Sequence, residues 1–250
     1  MNILISSSKT MNRPTNQKIT DYSTDFTQPI FYHESQLLMK QLQSYSINDL
    51  KKIMKTSDQL TNGIYNQIQH FNRSEQFPAI FYFSGGVYKG LNSIKWQKPD
   101  YLYANSHLKI ISGLYGILKP LDLIKAYRLE MGYKIKFAHN QNLYDFWQDK
   151  IALSLQNQSL LINLLPQEYF RVIKNYCQPS RLITPRFLTK YPDNSLKFVA
   201  IHAKFGRGLL ASWLIKNKTD QIVNFSFKKF KFNSGLTNNI LEPIIVFEPN

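Results

Sequence analysis

Several charged and polar side chains near the ends of apolar runs carry whatever chemistry this chain offers. Ser6, Lys9, Tyr88, Arg128, Glu130, Asn163, Glu168 and Lys204 are of types that can converge in one polar pocket, several of them at strand ends. There Glu130 or Glu168 would act as general acid or base, and Arg128 or Lys204 would hold an anion. HAKFGRGLL (His202–Leu210) adds Arg207 to Lys204 where a strand runs into a helix, near the positive end of the helix dipole. A phosphate there would meet backbone donors and a guanidinium together. The alternative is a solvated basic first turn.

FSGGVYKGL (Phe83–Leu91) brings Gly85, Gly86 and Gly90 in behind a strand, where successive N–H groups can form an anion-binding nest. It is not a Walker loop, because Leu91 and Asn92 stand where Lys and Ser or Thr would hold phosphate and magnesium. In LYDFWQD (Leu143–Asp149), Asp145 and Asp149 share a helix face at i, i+4 spacing. Such carboxylates can do acid/base work or hold a metal, but far more often face water. INLLPQEYF (Ile162–Phe170) ends a strand with Asn163 and offers Glu168 and Tyr169 at the following turn. His33, His70, His107, His139 and His202 are scattered without metal-ligand spacing, so neither a metal centre nor a cofactor is expected.

The elements that must position these residues follow from periodicity. ISGLYGILKPLDLIKAYRLEMG (Ile111–Gly132) parses as a strand ending near Ile111, a tight turn at Gly113 and Gly116, a short helical piece around Leu121 to Ile124, and an extended YRLE whose Arg128 and Glu130 share one face. The plain alternative is a structural hairpin with an internal ion pair. Strands are expected at Asn2–Ser6, Pro78–Phe83, Leu108–Ile111, Leu160–Leu165, Leu182–Leu188, Phe198–His202 and Pro243–Phe247. Helices are expected at His33–Leu42, from a capping box at Ser46 and Asp49 through Met54, at Ser57–His70, from Pro99 to His107, at Asn142–Leu155 and at Lys204–Lys216. Lys9 to Pro29 reads as a loop over the surface. Strands and helices alternate without the strict rhythm of a doubly wound sheet, so the fold class is α+β, with a mixed sheet and surrounding helices.

Residues 1–250 carry no Pro/Gly/Ser-rich linker and no fixed-period repeat, so one compact domain is expected, and 43% hydrophobic content is ample for its core. A single cysteine, Cys177, rules out a disulfide within one chain and fits a reducing cytoplasm. MNILISSSKTM has neither a basic leader nor a long apolar stretch, so no signal peptide, membrane anchor or membrane partner is expected. The net charge of +15 attracts polyanions such as nucleic acid, acidic lipid or nucleotides. Part of the lysine excess is what genome base composition can produce without functional demand.

Taken in order, these segments resemble the YaaA peroxide stress protein family. SGLYGILKPLDLIKAYRLEMG followed by LYDFWQDKI is similar to the family's hallmark region almost residue for residue, and ILISSSKTM (Ile3–Met11) and Arg207-Gly208-Leu209 are similar to its terminal motifs. The resemblance implies a cytoplasmic protein of one α+β domain with a YaaA-like fold, a positively charged cleft and a helix-hairpin-helix-like element associated with DNA binding. It also implies a role in limiting hydrogen-peroxide damage through lower free iron. By position the hairpin would surround Gly113 and Gly116, and the cleft would collect Lys9, Arg128, Glu130, Lys204 and Arg207. Gly86 departs from the pattern, which usually has an acidic residue before Val-Tyr; so do Leu165 and Pro166, and Asn224–Asn250 is divergent and basic.

The first reading is a stress protein that binds duplex or branched DNA without sequence preference. N–H groups of the Gly113–Gly116 turn would contact phosphates while Lys119, Lys125, Arg128, Lys204 and Arg207 neutralise their neighbours. The alternating KKFKF segment could stack on unpaired bases, or be an amphipathic strand. The second reading is an enzyme acting on a nucleotide or nucleobase in the polar pocket. Direct iron sequestration is disfavoured, since the motifs present mostly bases and glycines rather than clustered metal ligands.

Overall fold

The computed structural model describes residues 1–15 and 25–249, so part of the expected Lys9–Pro29 loop lies outside the described residues. In chain order, β1 (Asn2–Ser6) and β2 (Thr10–Met11) precede three helices, α1 (Tyr32–Gln43), α2 (Ile47–Met54) and α3 (Asp58–Gln69). The capping box at α2 forms as its residues dictate, with the Asp49 N–H donating to Ser46 Oγ and the Ser46 N–H donating to Asp49 Oδ2, both at 3.2 Å.

β3 (Gln76–Pro78), α4 (Ala79–Tyr82), β4 (Phe83–Ser84) and α5 (Gly86–Leu91) come next. The expected strand Pro78–Phe83 is therefore broken by a turn of helix, because a short apolar run fits a buried helical turn as well as a strand. α6 (Lys98–His107) leads into β5 (Leu108–Ser112), and β6 (Gly116–Leu118) returns antiparallel to it. β7 (Leu123–Lys125) is a strand paired with β3, where a helical piece was expected. The expected helix Asn142–Leu155 is two pieces, α7 (Leu143–Trp147) and α8 (Lys150–Leu153), interrupted where Gln148 takes a positive φ of 44°.

β8 (Leu161–Asn163), α9 (Gln167–Lys174) and β9 (Leu182–Ile183) complete the first sheet, ordered β6-β5-β1-β8-β9 with β5, β1, β8 and β9 parallel. β10 (Arg186–Lys190), β11 (Leu196–Lys197), the long α10 (Ala200–Asn217), β12 (Ser226–Phe227), β13 (Phe230–Phe232) and β14 (Ile244–Phe247) follow, and the second sheet runs β11-β10-β14-β13-β12. KKFKF is thus a hairpin arm of this sheet, with Phe230 buried in the core. Phe198–His202 is not a strand, since α10 already begins at Ala200. One hydrophobic cluster joins β1 and β5 to α10 and to Phe230 and Ile245 of the second sheet.

α10 ties the layers together, and its closest partner is α5. At their crossing the two backbones touch. A Cβ at Gly208 would lie 1.9 Å from the Val87 carbonyl oxygen, and one at Gly90 would lie 2.1 Å from that of Phe205. Backbone cannot move aside as a side-chain tip can, so only glycine fits at either position. Gly208→Ala is therefore expected to cost about 1–3 kcal/mol or more. Gly63→Ala, at an exposed position of α3 with nothing within 4 Å of the new methyl group, should gain up to about 1 kcal/mol of helix propensity. Urea unfolding of both variants beside wild type measures the contrast; two similar shifts would contradict it.

Candidate functional site

The carboxyl ends of β1 and β8 open onto a cavity of about 390 Å³. The chain leaving β1 reaches its parallel neighbour β5 on one side, while the chain leaving β8 passes through α9 to β9 on the other. The crevice thus lies where connections depart in opposite directions, the position at which open parallel sheets take ligands. Ser6 ends β1, and Ser7, Ser8, Lys9 and Thr10 form one wall. Gly85 and Gly86 line a second wall at the start of α5, and Pro166, Glu168 and Tyr169 a third at the start of α9. Lys204 and Arg207, three residues apart on α10, supply the cations.

Hydrogen bonds fix the polar walls. The Tyr88 hydroxyl donates to the Ser6 carbonyl oxygen at 3.1 Å, holding α5 against the end of β1. The Gly132 N–H donates to Glu168 Oε1 at 2.7 Å, and the Tyr144 hydroxyl donates to the Glu168 carbonyl oxygen at 2.9 Å. Ser7 Oγ and the Tyr169 hydroxyl lie 3.3 Å apart, and behind them Ser112 Oγ and the Tyr127 hydroxyl lie 2.7 Å apart.

Glu130 is the buried acid of the site, only 8% exposed, with Lys9 Nζ 3.6 Å from its Oε2. Burial pushes its carboxyl above the usual glutamate value, Lys9 opposes that shift, and nearby Glu168 adds to it. Burial also pushes the Tyr169 hydroxyl well up, reinforced by Glu130, and lowers the Arg207 guanidinium from its ordinary value. Beyond Lys9, Glu130 and Glu168 the cleft continues into a second chamber of about 500 Å³, onto which Lys52, Lys55 and Lys134 open. A buried acid of raised proton affinity thus stands between two cation-bearing chambers. That arrangement can hold an anionic molecule at both ends and exchange a proton with its middle.

Of the residues expected in the pocket, Ser6, Lys9, Tyr88, Glu130, Glu168 and Lys204 line it. Asn163 does not: it is 2% exposed and structural, its Nδ2 donating to Thr184 Oγ1 at 3.2 Å and its Oδ1 accepting from the Leu165 N–H at 3.1 Å. Arg128 is also absent from the lining. Its buried Nε has no hydrogen-bond partner among the described residues, and Lys9 rather than Arg128 pairs with Glu130.

The segment Gly113–Gly116 is a buried turn between β5 and β6 and not a hairpin between helices, so its backbone cannot reach a phosphate. A Cβ at Gly113 would lie 2.4 Å from the Leu129 carbonyl oxygen, and one at Gly116 2.8 Å from the Trp147 ring. Lys119 and Lys125 are outside the cleft; Lys125 Nζ donates to the Asn72 carbonyl oxygen at 2.8 Å. Lys204 and Arg207 lie past the first turn of α10, beyond the reach of its dipole, and act by their own charge. Asp145 sits in the first turn of α7, where its N–H donates to the N-cap Asn142 Oδ1 and its Oδ2 accepts from the Gln141 N–H, both at 3.0 Å. Ser7, Ser8 and Thr10 also line the cavity, and their signal in the sequence is the unbroken polar run directly after an apolar strand, at the end where parallel strands take ligands.

Fold and cleft together define an α+β protein with a polar, cation-rimmed site at the carboxyl edge of a mostly parallel sheet. Residues 1–236 match the model of the family described as peroxide stress protein YaaA. The chain is 39% identical over 224 residues to a UPF0246 protein of Crocosphaera subtropica, covering 85% of this chain and 88% of that protein. It is 38% identical over 230 residues to one of a Marinomonas species, covering 89% and 86%, and 36% identical over 255 residues to one of Francisella philomiragia, covering 96% and 98%. The chain belongs to the YaaA peroxide stress protein family. The family match ends at residue 236. No helix among the described residues is long and apolar enough to cross a membrane.

The raised Glu130 value has a measurable sign. In the unfolded chain Glu130 ionises near its ordinary 4.5, whereas the folded protein holds its proton to higher pH. Between those values the native state binds more protons, so stability falls as pH rises. Glu130→Gln should remove this part of the fall, while buried Asp122, raised in the same direction, contributes equally to both proteins. Urea unfolding from pH about 4 to about 8 tests this; parallel curves for the two proteins would contradict it.

Proposed function

We propose that this peroxide stress protein acts through the cleft, which binds an anionic, nucleotide-like molecule and presents Glu130 to it as the proton-exchanging group. The observation that supports this most is the buried Glu130 beside Lys9, between chambers bearing Lys204 and Arg207 on one side and Lys52, Lys55 and Lys134 on the other. A cavity of about 390 Å³ suits a small molecule. Arg207 offers bidentate anion recognition, and Lys204 a second, exposed charge. Within this reading the protein is cytoplasmic, and any effect on iron is indirect.

The net charge of +15, with Lys9 and Lys204 exposed at the cleft, favours a second reading: binding of DNA without sequence preference through phosphate contacts. Buried Gly113 and Gly116 take no part in it, which leaves the lysines and Arg207 to make those contacts.

One pair of titrations separates the readings. Nucleoside di- and triphosphates are followed by calorimetry, and labelled duplex and branched DNA by fluorescence anisotropy at several salt concentrations, each with wild type and Lys204→Ala/Arg207→Ala. The small-ligand reading predicts saturable nucleotide binding weakened at least about tenfold in the double variant, the loss expected from about 1.4 kcal/mol. Absent nucleotide binding, together with tight DNA binding whose salt slope the variant reduces, would replace it with the DNA reading.

A further inference from the structure

At the far end of the α5–α10 crossing a second cavity, of about 460 Å³, opens between the C-terminal half of α10 and the turn joining β12 to β13. Trp96, Trp213 and Phe227 line it, together with Lys95, Lys216 and Lys228. The aromatic surface is partly free: Phe227 is 46% exposed, and Trp213 meets Phe225 edge-on, with ring centroids 5.7 Å apart. Trp96 is buried and anchored, its Nε1 donating to Ser212 Oγ at 2.9 Å. Lys228, at a positive φ of 54° in the hairpin turn, holds its ammonium 6.0 Å from the Phe227 centroid and 5.5 Å from that of Phe205.

Three ammonium groups with no carboxylate among the described lining residues make a site for an anion, and none of the three joins an ion pair among the described residues. Ring faces beside them select a flat partner, because base–aromatic stacking and cation–π contact both need an exposed π surface. Lysine recognises phosphate as a point charge without demanding a fixed approach, which suits three flexible side chains around one rim. The cavity volume lies in the range of small-molecule sites.

We propose that this cavity is a second binding site, separate from the cleft, for a planar aromatic anion of the nucleoside monophosphate class. The base lies against Trp213 and Phe227, and the phosphate meets Lys95, Lys216 and Lys228. This assignment does not rest on the function proposed for the cleft. It also gives the FSFKKFKF segment a role: its Phe230 fills the core, while its Phe227 and Lys228 face the cavity.

Tryptophan fluorescence tests the proposal directly, since Trp213 lines the cavity and Trp147 is sealed in the core. Adenosine monophosphate, adenosine and inorganic phosphate are titrated into wild type, Phe227→Ala, Lys216→Gln/Lys228→Gln and Lys204→Ala/Arg207→Ala. All the exchanged cavity side chains are exposed, so folding is not at stake. The monophosphate should quench saturably, with adenosine and phosphate each binding at least about tenfold more weakly, and both cavity variants should weaken the monophosphate by at least about fivefold. The cleft variant should leave the quench unchanged. An absent quench, one that survives in both cavity variants, or one that is lost only in the cleft variant would overturn the assignment.

Discussion

The contact between two stretches of backbone at Gly90 and Gly208 is the constraint on which the rest of the structure depends. Because neither position can carry a side chain, α5 lies directly on α10. That closeness brings the Gly85–Gly86 turn beside Lys204 and Arg207 and, through Tyr88 and the Ser6 carbonyl, against the end of β1. A wider spacing would open the cleft and part its cations from its serines. The same crossing carries the aromatic cavity at its other end, so one packing decision shapes both concave sites.

The cleft's electrostatics follow from what each wall can afford to bury. Glu130 is deeply buried and pairs with Lys9 at 3.6 Å, a distance at which Lys9 offsets only part of the desolvation. The result is an acid inclined to keep its proton, next to cations inclined to hold an anion. Tyr169 and Ser7 continue the polar network inward from Glu130, toward the Ser112–Tyr127 pair beneath the turn of Gly113. Sites that perform chemistry often combine such opposed tendencies in a small volume.

Much of the fold was legible because local rules and packing agreed. The apolar tetrad of β1, the capping box of α2 and the Pro99 start of α6 each sit where residue type alone predicts. Legibility failed where one pattern serves two structures. Phe198 to His202 reads as a strand, yet it enters a helix with Phe198 63% and Ile201 71% exposed, so its apolar residues mark no buried face. Gly113 and Gly116 announced a turn correctly, but glycine reports backbone shape and not exposure; only the Trp147 and Phe31 rings packed on Gly116 reveal that the turn is core. The shared face of Arg128 and Glu130 left an ion pair between them as one alternative; the ion pair that forms is between Glu130 and Lys9, residues far apart in the chain and therefore invisible to local spacing.

The proposed working surface is the cleft at the ends of β1 and β8, and hydrogen–deuterium exchange of the full chain, with and without a saturating nucleoside triphosphate, probes it. Slowed exchange is expected in the peptides spanning Ser6–Thr10, Gly85–Tyr88 and Pro166–Tyr169, where the ligand would cover the walls of one cavity. Unchanged exchange in all three segments, under conditions where the nucleotide is bound, would contradict it.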